Sequence, residues 1–159
     1  MRKGRPHEGY RLIREAYEHN TLLGMRAGAS EVLGYAAEAL LLAGDVEGAQ
    51  TQLREALQIA DALGEGVYLP QLLLLQAAIS RAHGKPDAGA ASVRRAVEEA
   101  REQQAPWLEL LALVELCVHH NASTAERQAL AELVDQLPEA AGTEPVERAR
   151  SLLQSAKPA

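Results

Sequence analysis

The sequence predicts an all-α chain assembled from repeated helix pairs, and three observations carry that reading. A pattern recurs every 40 residues: GRPHEGYRLIREAYEHN at 4–20, GDVEGAQTQLREALQIA at 44–60 and GKPDAGAASVRRAVEEA at 84–100. Gly4, Gly44 and Gly84 align, as do Gly9, Ala49 and Gly89, then Ile13, Leu53 and Val93. A fixed period of this size marks an array whose units bury their apolar faces on their neighbours. Next, apolar residues make up 47% of the 159, yet there is no Phe, one Trp and four Tyr; Ala and Leu, both strong helix formers, supply the rest. Last, Val and Ile nowhere alternate with polar residues over a strand's length.

The first helix starts at Pro6, which suits a first turn, and shows Gly9, Ile13, Ala16, Tyr17 and Asn20 on one face. It matches the second helix of the later units, so the array is expected to start mid-unit, as a half repeat over 4–24 with an uncovered apolar face. Gly24 and Gly28 mark a connection, and Ser30 and Glu31 open a helix to about residue 43. Gly44-Asp45 then reads as a tight turn, with Gly taking positive φ and Asp capping the next helix. That helix carries Val46, Ala49, Leu53, Ala56, Leu57, Ala60 and Leu63 at spacings of three and four. Gly64 and Gly66 break it, and Pro70 opens a helix to His83 that is apolar nearly all round, as suits the middle of a stack. Gly84 repeats the turn, and Pro86 to Ala100 repeat the stripe.

Pro106 and Trp107 begin another apolar helix, to about His120. Asn121 then stands where Gly is expected if the spacing shortens to 37, and Asn tolerates the left-handed conformation. Ser123 and Glu126 form a capping box, and Leu130, Leu133, Val134 and Leu137 continue the stripe. After Pro138 and Gly142 comes a short closing helix with Val146, Ala149, Leu152 and Leu153 inward. The expected organisation is a single domain over 1–159: the half repeat, pairs at 30–64, 70–104 and 106–137, and a cap at 145–155, or about seven helices plus the cap.

A net charge of −6 with scattered Lys and Arg argues against direct nucleic-acid binding, and the basic run Arg2-Lys3-Gly4-Arg5 reads as a solvated end. The basic start leads into a polar segment rather than a signal sequence, and the longest apolar run, 72–75, falls far short of a membrane span. With Cys117 alone there is no internal disulfide, which fits a reducing, cytoplasmic setting. No Walker motif, nucleophile elbow or metal-ligand spacing is present. His119 and His120 are adjacent and so point apart on a helix, and the carboxylates at 98, 99, 102, 144 and 147 read as solvated faces. No catalytic, cofactor or metal site is expected.

The paired helices resemble tetratricopeptide repeats, with Ala49 and Ala56, then Gly89 and Ala96, at small positions of that motif. The period is 40 rather than roughly 34, and Leu and Ala replace the aromatic signature. In this the segments AEALLLAGDVEGAQTQLREALQIADALGE and YLPQLLLLQAAISRAHGKPDAGAASVRRAVEEA resemble repeats that follow the ATPase domain of large bacterial signalling proteins, LuxR-type ATP-dependent activators and multidomain adenylate cyclases. The resemblance implies a right-handed α-solenoid whose first helices line a concave groove, with Glu31, Gly34, Glu38, Gln71, Leu74, Arg81, Glu115 and His119 facing into it. It also implies an interaction or regulatory module that binds a protein segment or docks on other domains of the same polypeptide. Two alternatives stand beside it. One is an effector sensor in which Arg81 and His119 hold an anion; the other is a homodimer formed through Tyr10, Ile13 and Tyr17 on the first helix.

Overall fold

A computed structural model describes residues 5–155; the glycine of the first repeat copy, Gly4, and the basic Arg2 and Lys3 lie outside that range. Among the described residues eight α-helices follow one another: α1 (Pro6–Leu22), α2 (Ala29–Leu42), α3 (Val46–Leu63), α4 (Leu69–Ala82), α5 (Pro86–Glu102), α6 (Pro106–His119), α7 (Thr124–Gln136) and α8 (Glu144–Ser155). Single 3-10 turns at Gly66–Tyr68 and Pro138–Ala140 precede α4 and α8, and there is no strand among the described residues. The chain is all-helical, and no helix within that range is long and apolar enough to cross a membrane.

The 40-residue period is visible in the backbone itself. Gly24, Gly64 and Gln104 close α1, α3 and α5 with φ of 75°, 66° and 53°. One residue further on, the N–H groups of Met25, Glu65 and Ala105 reach back five residues to the carbonyls of Asn20, Ala60 and Ala100, at 2.9, 2.8 and 2.9 Å. These bonds satisfy carbonyls that a helix end leaves unpaired. First helices end the same way, at Gly44 (φ 85°) and Gly84 (φ 71°). Asn121, with φ 50°, takes the same left-handed conformation after α6. Asp45 caps α3 by accepting from the Gly48 N–H at 2.9 Å, and Ser123 with Glu126 completes the capping box of α7.

Gln104 was not foreseen in the left-handed region. Nothing in its side chain favours that conformation, and only the alignment with Gly24 and Gly64 points to it. Gln104→Gly is therefore expected to raise unfolding stability by about 0.5–1 kcal/mol, measured by urea denaturation, against the usual cost of adding glycine.

Short turns make α2–α3 and α4–α5 antiparallel pairs, and these two pairs hold the most extensive helix–helix contacts. α1 rests on α2, α3 on α4, α5 on α6, and α8 returns against α6 and α7, while α2, α4 and α6 touch in turn. Residues one period apart share burial: Ala49, Leu53 and Ala56 on α3, and Gly89, Val93 and Ala96 on α5, are all buried. The α7 positions Leu130, Leu133, Val134 and Leu137 are buried as well. One core forms around Leu33, Leu53 and Leu72, and a larger one around Leu73, Val93, Leu113 and Leu130 is closed by Val146 and Ala149 of α8.

Each central pair is also clasped at its open end. The Glu65 carboxylate, just past α3, accepts from the N–H of Gly28 (2.7 Å), the N–H of Ser30 (3.0 Å) and the Ser30 hydroxyl, and so caps α2 across the pair. Burial pushes the Glu65 carboxyl up, but the hydrogen bonds from Ser30 and Gly28 outweigh it and hold the group below the usual carboxylate range. In the next pair Gln103, at the end of α5, donates to the Gly66 carbonyl ahead of α4 at 2.8 Å.

Candidate recognition groove

The first helices of the pairs touch in turn, α2 against α4 and α4 against α6, and a cavity opens at each of these contacts. A Cβ at Gly34 would stand 2.8 Å from Leu72 Cδ2, so the missing side chain leaves room for the Leu72 methyl between α2 and α4. Between these helices opens a cavity of about 420 Å³. Gly34 and Leu72 are buried at its base; Leu41, Leu42, Leu74, Leu75 and Ala78 supply apolar wall, and Glu31, Tyr35, Glu38, Tyr68 and Gln71 the polar positions.

Both charged residues lining this cavity are glutamates. The Tyr35 hydroxyl donates to Glu31 at 2.9 Å, and that hydrogen bond, with the carboxylate's charge, pushes the Tyr35 phenol up. The charge on Glu31 likewise raises Tyr68. Two phenols therefore stand near one carboxylate, with Tyr35 as its hydrogen-bond donor. The arrangement suits a cationic group, which a carboxylate pair attracts and tyrosine faces accept, above an apolar floor that takes a hydrocarbon side chain.

Further along, a cavity of about 310 Å³ lies between α4 and α6, with the start of α8 as its lip: Leu74, Arg81, Val114, Glu115, Glu144 and Arg148 are among its lining residues. Arg81 and Glu115 are joined by a direct ion pair across α4–α6. Glu115 also lies 3.9 Å from His119 Nε2 and 4.0 Å from His120 Nε2. Arg81 is thus already neutralised, and an anion would have to displace Glu115 to reach it.

His120 is the exception in this cluster. Its side chain is 0% exposed and neither ring nitrogen has a hydrogen-bond partner. Burial holds its pKa below the ordinary histidine range, against the pull of Glu115 and with a smaller push from Arg81 and His119. The His119 and His120 rings are 6.3 Å apart and inclined at 67°, and among the described residues no cluster of His, Cys, Asp and Glu could hold a metal ion.

Of the eight residues singled out in the sequence, Glu31, Gly34, Glu38, Gln71 and Leu74 surround the first cavity. Leu74 also borders the second, with Arg81 and Glu115, and His119 sits beside Glu115. Tyr35, Tyr68 and Leu42 were missed. Tyr35 follows Glu31 by four residues and Leu42 follows Glu38 by four, so both pairs share a helix face. That spacing was the available signal, and in the structure both groups are exposed (Tyr35 at 52%, Leu42 at 73%).

The α1 stripe needs correction. Tyr10 and Tyr17 were read as an uncovered face, but both are half-buried and pack against the core around Leu33 and Leu53, with Ile13 also half-buried. The Arg14 guanidinium lies 5.2 Å from the Tyr17 ring and reaches across to Glu55 and Gln52, both at 3.1 Å. α1 is turned so that these tyrosines meet the helices that follow, and its exposed apolar groups are Leu12, Leu22 and neighbouring Leu23 and Met25 instead.

No protein-family model, curated protein or solved structure matches the chain.

Proposed function

We propose that the chain is a non-catalytic, tetratricopeptide-like interaction module whose first helices form the recognition face of a right-handed solenoid. The observation that carries this reading is the α2–α4 cavity, apolar at its base, with glutamate as its charged lining and two tyrosines at its rim. The matched segment is an extended or helical stretch of a partner protein, or of another domain of the same polypeptide, bearing Lys or Arg next to Leu or an aromatic residue. In the setting the sequence resemblance implies, that contact would regulate a larger signalling or transcription regulator.

Selection from a random-peptide display library against the immobilised chain tests the proposal. Enriched peptides should combine an apolar anchor with a cation. Glu31→Lys/Glu38→Lys should weaken them about tenfold or more, since it replaces attraction by repulsion at both ends of the cavity. An enrichment of acidic peptides, or none at all, would count against the groove. A small-molecule effector is the second reading, favoured by a cavity volume of about 420 Å³, within the size range of ligand pockets. Its chemistry would be that of a cationic amphiphile rather than an anion, because Arg81 is paired with Glu115.

A further inference from the structure

His120 differs from every other buried polar side chain described. It follows α6, its N–H donates to the Leu116 carbonyl at 3.0 Å, and its ring meets α5 at Gly89, where an added Cβ would stand 2.9 Å from Cε1. A neutral imidazole carries one N–H donor and one acceptor nitrogen. Here neither has a partner, and among the described residues no other buried side-chain N or O atom is left so. Buried polar groups are otherwise paired, so an orphaned imidazole calls for a reason.

The carboxylate beside it is held by another residue. Glu115 Oε1 pairs with Arg81 Nη1, and the same oxygen lies 4.0 Å from His120 Nε2. A movement of about 1 Å brings that oxygen within hydrogen-bond reach of the ring. The Glu115 and Arg81 side chains are 25% and 29% exposed, which leaves the carboxylate room to turn. Two further groups act on the ring: His119 of α6, whose Nε2 lies 3.9 Å from Glu115 Oε2, and the Pro86 carbonyl of α5, which favours a charged ring. The adjoining α4–α6 cavity is charge-balanced, with Arg81 and Arg148 set against Glu115 and Glu144. Arg148 is loosely held, 3.9 Å from an exposed Glu144. One proton on His120 tips this balance positive.

We propose that His120 gates an anion site in the α4–α6 cavity: on taking up a proton it draws the Glu115 carboxylate off Arg81, and Arg81 with Arg148 then holds a small oxyanion, a carboxylate or a phosphate. The proton comes from solvent and stays on the imidazole, and no covalent bond changes. With the ring neutral, Glu115 is itself the occupant of Arg81 and repels an incoming anion. With the ring charged, Glu115 serves the imidazolium, and the guanidinium fork is free for two oxygens of the ligand. Burial, ahead of the opposing pull of Glu115, holds His120 below the usual histidine range, so the gate is shut above that range and opens as pH falls through it. The sign for stability follows. The folded value lies below the unfolded one, so stability is lost as pH falls from the ordinary histidine value through the folded one, and an anion that binds only the protonated fold offsets part of the loss. The proposal is independent of what occupies the α2–α4 cavity.

The probe is sulfate, whose charge does not change over the pH range used, titrated at constant ionic strength into the isotopically labelled full chain. The His120 ring carbons report protonation, and the Arg81 and Arg148 Nε–H signals report binding. Between about pH 8 and about pH 5 ordinary carboxylates stay ionised, so histidines are the side chains that change charge. The expected result is saturable binding at the acidic end that is about tenfold or more weaker at the alkaline end. By reciprocity, saturating sulfate should move the His120 midpoint up by about one pH unit. Glu115→Gln should bind sulfate at both ends, because Arg81 no longer has a carboxylate to lose. His120→Leu, close in volume, should bind weakly at both, and His119→Gln should keep the wild-type contrast. Should His120→Leu not fold, Glu115→Gln and the wild-type midpoint decide. A His120 ring that stays neutral throughout, equal sulfate affinity at both ends in the wild type, a contrast lost in His119→Gln, or shifts centred away from Arg81 would overturn the proposal.

Discussion

Gly89→Val is expected to destabilise the chain by about 3 kcal/mol in urea unfolding, while Gly9→Val, two repeat periods away, changes stability by no more than about 0.5 kcal/mol. At Gly89 the first added carbon already intrudes on the Ala77 carbonyl and the His120 ring. The carbonyl belongs to the α4 backbone and cannot turn aside. The imidazole is fully buried as well, so α4 and α5 must separate and leave apolar contacts unmade on both sides. At Gly9 the side chain enters open space, and the small gain in helix propensity is all that remains. Equal losses at the two positions would mean that α1 is as tightly covered as α5.

Glu65→Ala is expected to cost about 2–3 kcal/mol, because it removes a charged acceptor from two backbone N–H groups and leaves the Ser30 hydroxyl buried without a partner. Glu65→Gln keeps an acceptor oxygen and should recover part of the loss. The pH dependence has a definite sign. The folded-state carboxyl lies below its unfolded value, so its contribution is complete above the ordinary carboxylate range and is lost as pH falls through that range into the depressed folded one. Wild-type stability should therefore drop more steeply than that of Glu65→Ala below about pH 5. Parallel curves would show that Glu65 is not held as a carboxylate by α2.

Helix identity and turn position were legible in the sequence because local chemistry sets them. Asp45 and the Ser123–Glu126 box sit on the helices they cap, and Gly44, Gly84 and Asn121 carry their conformational preference with them. Features that join distant segments were not. Glu65 looks like a solvated turn residue until α3 folds back and brings it to Ser30, 35 residues away. Arg81 and Glu115 read as two polar exceptions on separate helices, and only the contact of α4 with α6 turns them into a pair. His120, beside a groove candidate, is taken into the core by its place opposite Gly89. The tyrosines of α1 show the same limit. Periodicity put Tyr10 and Tyr17 on one face, but it does not say which neighbour that face meets.

The most direct test of the recognition face is an amide-shift map of the labelled chain with a selected peptide carrying one arginine and one leucine. The proposed mode predicts perturbations concentrated on Glu31, Tyr35, Glu38 and Gln71, and their loss in Glu31→Lys/Glu38→Lys. A map centred on α3, α5 and α7, with the residues of the α2–α4 cavity unmoved, would contradict it.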